Sequence, residues 1–224
     1  MKFQFPKLNG MTFIELIVVL GIFGAIASTV LFNYRDFSEN VNLKNLAQNI
    51  ALQIKRAQTD AISGKQPIIT DAQLNAGALP FGWKPSYGVA FNIEDGSVES
   101  TRRFFYFFNR TDSNNFPDMN DFEGSTYISP CGSQPDSECL EEIVITGGEF
   151  VSGVCLGFDD ITADNCDGTD SEKVYISFTR PRSNAVIIES GGGTAYANAY
   201  IEISSPGGPH KRIAIWESGY ISIQ

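Results

Sequence analysis

The sequence predicts an α+β fold: one long N-terminal α-helix packed on an antiparallel β domain. Three observations predict it. From Met11 to Phe32 the chain is apolar apart from Thr12, Glu15, Ser28 and Thr29. From Asn33 to Ser63 there is no Pro or Gly, and apolar residues return near the 3.6 period of a helix. After Gly64 the pattern changes to short alternating or aromatic runs. The expected divisions are a short basic leader at 1–10, a membrane-length helix at 11–34, an amphipathic helix half at 35–64 and a β domain at 65–224.

The apolar stretch justifies its part by length. At about 1.5 Å per residue it reaches about 30 Å, enough to cross a bilayer. Lys2 and Lys7 precede it and Arg35 and Asp36 follow, which points the N-terminus to the cytoplasm. A secretory signal is shorter and ends in a small-x-small site. Here a glycine, Gly10, stands at the junction instead. A plain membrane anchor explains the length and the lysines but leaves Glu15 unexplained. A carboxylate inside a membrane is costly unless it has a partner. The plain reading is a first-turn acid favoured by the helix dipole. The functional reading counts position. A cut after Gly10 makes Glu15 the fifth residue and gives Met11 a free α-amine, with which the Glu of a neighbouring chain can pair.

The second half of the helix is justified by Val41, Leu46, Ile50, Ile54, Ala57 and Ala61, which give one face for a sheet. Gly64 is its stop signal. A coiled-coil seam needs a longer pattern than this. The expected strands are Tyr87–Ile93, Arg103–Phe108, Glu142–Thr146, Val174–Thr179, Ala185–Glu189, Tyr200–Ser204, Arg212–Glu217 and Tyr220–Ile223. Ser218-Gly219 marks a hairpin between the last two. The aromatic run Phe104–Phe108 reads as a buried strand, and long loops are expected at about 109–141 and 152–173.

Composition narrows the partners. The formal charge is −10, and without the leader's two lysines the remainder carries −12. Such an acidic body argues against nucleic acid as a partner, because that affinity comes from neutralised phosphates. The four cysteines, Cys131, Cys139, Cys155 and Cys166, lie in stretches that read as loops, and an even count points to disulfides and an oxidising compartment. Three pairings are possible; short loops favour Cys131–Cys139 and Cys155–Cys166. Free thiols and zinc are the other readings. With His210 the only histidine and no Cys-x-x-Cys, zinc is disfavoured.

Gly10-Met11-Thr12-Phe13-Ile14-Glu15-Leu16 resembles the prepilin processing motif of type IV pilins and type II secretion pseudopilins. The resemblance implies a pilin fold. It also implies cleavage after Gly10 by a prepilin peptidase, N-methylation of Met11, and Glu15 as the assembly glutamate. The implied partners are other pilin or pseudopilin subunits and the membrane, reached through one helix. The implied location is a single-pass inner (cytoplasmic) membrane with an extracytoplasmic domain, then an extracellular or periplasmic filament. One departure is that many major pilins have a proline about two-thirds along this helix, whereas here the only breakers are Gly21 and Gly24. The segment from Leu46 to Ile62 resembles the GspH/FimT group of minor pseudopilins and minor pilins, with the Arg56-Ala57 order reversed.

Other chemistry is thin. Asp159, Asp160, Asp164, Asp167, Asp170 and Glu172 form an acidic cluster; the resemblance to pseudopilins, some of which bind calcium in a C-terminal loop, makes calcium one reading, but Ala163 stands where an EF-hand needs its first ligand, and a solvated loop with no metal is the favoured one. The basic spots Arg102/Arg103, Arg180/Arg182 and His210/Lys211/Arg212 support an alternative reading, an exposed tip subunit that binds DNA or a surface. No catalytic set and no cofactor motif is recognisable, so no enzyme and no cofactor is expected.

Overall fold

The computed structural model describes residues 11–67, 85–93, 100–109, 131, 138–157, 173–189 and 195–224. Helix α1 spans Phe13–Ser63. Thr12 caps its start. Its end is a Schellman turn: Gly64 has φ 67°, its N–H donates to the Ala61 carbonyl, and the Lys65 N–H donates to that of Asp60. The chain divides into two compact units, one ending at Asn40 and the other beginning at Val41.

In the first unit α1 contains Phe13–Val30, a segment long and apolar enough to cross a membrane and with none of its length buried. Its two internal hydroxyls are satisfied within the helix. Ser28 and Thr29 both donate to the Ala25 carbonyl, at 2.9 and 3.1 Å. This spares an apolar surrounding two open polar groups.

The second unit holds the rest of α1 and nine described strands in two antiparallel sheets. They are β1 (Ser86–Asn92), β2 (Arg103–Asn109), β3 (Cys139–Val144), β4 (Phe150–Gly157) and β5 (Lys173–Phe178). They continue with β6 (Ala185–Glu189), β7 (Asn198–Ser204), β8 (His210–Trp216) and β9 (Ile221–Ile223). One sheet runs β3-β2-β1-β5-β6 and the other β4-β7-β8-β9. They touch where Ile187 bridges Tyr196 and where the Ala185 N–H donates to the Glu217 carbonyl at 2.7 Å. The α+β expectation is therefore met.

Alternation explains the layers. Val89 and Phe91 of β1, Phe104 and Phe108 of β2, and Ile176 of β5 point from the larger sheet into one core. Ile201 and Ile213 enter it from the smaller sheet. The helix contributes Leu43, Leu46, Ala47, Ile50, Ile54, Ala57 and Ala61. Val41, expected on that face, is 39% exposed, and Leu43 and Ala47 take its place. The reason is phase: the buried stripe passes through position 43, about 160° around the helix from 41.

The larger sheet buries its other face too. Phe105, Phe107, Tyr175, Ile188 and Cys139 form a second apolar cluster there. Gly88 lies opposite Phe107, and a side chain at Gly88 would strike that ring and the Ile176 carbonyl. The loop expectations need correction. Cys139 opens β3, and β4 runs through a segment expected to be loop from 152 onward. A register shift between Val151 and Gly153 breaks the alternation that would have revealed β4.

Candidate functional site

The first turn of α1 is built by a reciprocal capping box. Glu15 Oε2 accepts from the Thr12 backbone N–H at 2.7 Å and from the Thr12 hydroxyl at 2.8 Å. The Glu15 N–H donates back to Thr12 Oγ1 at 3.4 Å. Thr12-Phe13-Ile14-Glu15 carries the Thr-x-x-Glu signature of such a cap, a sequence signal that the reading of Glu15 as a dipole-favoured acid passed over. Met11 is 65% exposed beside it. Gly10 lies outside the described residues. The arrangement holds a carboxylate ready at the start of an exposed apolar helix, with both donors supplied by one neighbour. Around it Phe13, Ile14 and Leu16 leave their side chains open.

A second polar cluster fixes the far end of α1. The Tyr106 hydroxyl donates to Asp60 Oδ2 at 2.6 Å, and Lys65 Nζ pairs with the same oxygen at 2.7 Å. The Arg56 guanidinium lies 4.4 Å from the centre of the Tyr106 ring and pairs with Glu141 at 2.7 Å. The Tyr87 hydroxyl donates to the Lys65 carbonyl at 2.9 Å. Burial opposes the ionisation of Asp60, but the hydrogen bonds from Lys65 and Tyr106 outweigh it and hold its pKa below the ordinary value. Burial raises both tyrosines, Tyr87 to about 12. The hydrogen bond to Glu141 raises Arg56. Lys55 and Gln58 add bonds to the Gly219 and Ser183 carbonyls. These partners lie far away in sequence, and no local pattern announces them.

The remaining candidates separate. Cys131 and Cys139 form a disulfide, with Cα atoms 5.4 Å apart. Cys155 is disulfide-bonded as well, to a partner outside the described residues. Cys166 and the acidic residues 159–172 also lie outside them. The basic spots do not act as pairs. Arg103 is matched with Glu142 at 2.8 Å, while Arg102 donates to the Gly148 carbonyl. Arg212 is matched with Glu202, beside an exposed His210. Arg180 lies over Gly64, and Arg182 is exposed.

Compared with protein-family models, curated proteins and solved structures, the chain matches none.

Proposed function

We propose that this chain is a structural, non-catalytic subunit, of the minor kind, of a type IV pilus or type II secretion pseudopilus. In this reading it has the pilin fold. A prepilin peptidase cuts after Gly10, Met11 is methylated, and α1 first anchors the chain in the inner membrane and then packs among other subunits. The observation that carries the reading is the pairing of a capped carboxylate with an open apolar helix. Glu15 is held at the first turn by Thr12, and Phe13–Val30 behind it leaves its side chains uncovered. A helix apolar all round needs lipid or other helices as surroundings. A carboxylate inside that surrounding needs a counter-charge, and the α-amine of a neighbouring subunit supplies one.

The test is mass spectrometry of the N-terminal peptide from the sheared-filament and membrane fractions of the native host. The expected peptide begins at methylated Met11. A mature chain beginning at Met1, or cut after Ser28, would remove the proposal.

A further inference from the structure

A groove of about 240 Å³ lies in the unit that begins at Val41. One wall is α1, where Asn42, Asn45 and Asn49 follow each other at helical spacing and are exposed. The opposite wall is the segment after β3, with Thr146 and Glu149. Ile143 and Val144 supply accessible apolar surface between them, with Leu46 and Phe104 buried beneath. Glu149 is the unusual member. It is 4% exposed, lines the groove, and among the described residues no hydrogen bond or ion pair engages its carboxylate. Its carboxylate is therefore open to a ligand in the groove. Gly147 makes the placement possible, since a side chain there would overlap the Glu149 carboxylate.

We propose that this groove binds a single sugar ring, neutral or amino-substituted. Among the described residues no cationic side chain lines it, which disfavours a phosphate or a carboxylate. One carboxylate supplies little charge for a divalent cation. Three carboxamides, a hydroxyl and a carboxylate suit a ligand rich in hydroxyls, because each carboxamide both donates and accepts and the carboxylate accepts. The volume falls below the ~300–1,000 Å³ typical of sites for drug-sized ligands. At ~30 Å³ per water it equals roughly eight waters, room for one ring. The apolar surface of Ile143 and Val144 is open to the C–H side of such a ring. The proposal stands apart from filament assembly and does not need it.

The test uses the full chain in a detergent without a sugar headgroup, with saturation-transfer NMR against glucose, galactose and glucosamine. Saturable binding in the millimolar range is expected for at least one. Binding of all three identifies a neutral ring, and binding of glucosamine alone identifies the amino-substituted one. Glu149→Gln should weaken binding roughly tenfold, the effect of losing a charged hydrogen-bond acceptor. The double variant Asn45→Ala, Asn49→Ala should weaken it as well, and it changes only exposed helix positions to a strong helix former. No saturable signal with any of the three sugars overturns the proposal, as does affinity unchanged in both variants.

Discussion

Removing one oxygen from Tyr106 tests how α1 is held to the larger sheet. In the wild-type chain the Tyr106 hydroxyl donates to Asp60 at 2.6 Å, while its ring lies under Arg56 and beside Tyr87, with centroids 6.1 Å apart. Tyr106→Phe keeps the ring contacts and deletes one hydrogen bond to a charged acceptor, an interaction of about 1.5–3 kcal/mol. The Asp60 side chain is 16% exposed and keeps Lys65, so the lower end applies, about 1.5 kcal/mol. For a chain of this size that lowers the Tm by roughly 3–6 °C. The pH dependence follows from the depressed pKa of Asp60. A carboxyl whose folded pKa is lowered contributes stability above its ordinary value of 3.8 and loses it as the pH falls through the folded value. The assay is thermal unfolding by circular dichroism of the full chain in micelles, near neutral pH and again well below the ordinary value. A clear deficit is expected at neutral pH, shrinking in acid as Asp60 takes up a proton in both proteins. Equal deficits at both pH values, or none at neutral pH, would refute the reasoning.

Glu15→Gln separates capping from assembly, because Gln also completes a capping box but carries no charge. The variant should insert in the membrane and fail to enter filaments; quantitative blotting of sheared filaments reads this, and wild-type incorporation would leave Glu15 a cap alone. Ile54→Ala, at a fully buried helix position, should cost about 2–5 kcal/mol in urea unfolding. Cys139→Ser opens a bridge spanning a sequence separation of 8 and should cost about 2.5 kcal/mol by the chain-entropy relation, less than reducing the wild type, which opens the Cys155 bridge as well. On the alkaline side Tyr87 stays neutral in the folded chain up to about 12, so stability should decline from about pH 10 as the unfolded chain ionises first. A flat thermal profile across that window would contradict the burial of its hydroxyl.

What was legible in the sequence was mostly local. The helix was announced by the apolar run that opens at Met11 and by the stop at Gly64, and the observed bounds of α1 fall within two residues of the expected ones. The Ser218-Gly219 hairpin was legible for the same reason: Gly219 takes φ 79° there, and its N–H donates to the Trp216 carbonyl at 2.8 Å. Phe104–Phe108 read as a buried strand because a run of rings needs cover on both faces, and both faces of β2 have it. The strand β4 was not legible. Ser152 and Gly153 interrupt its alternation, and Cys155 invited a loop assignment. The Asp60–Tyr106 and Arg56–Glu141 contacts, 46 and 85 residues apart, depend on strand order, which no local period encodes. Glu149 was silent for a related reason. An isolated acid after two glycines looks solvated until the fold covers it.

The cap at Thr12 also bears on how a filament would come apart. In the filament proposed above, an incoming amine meets a carboxylate whose donors are already in place, so docking exchanges one set of hydrogen bonds for another. A departing subunit recovers its own Thr12 contacts within a single side-chain rotation. The carboxylate would then have donors both in the free chain and in the filament.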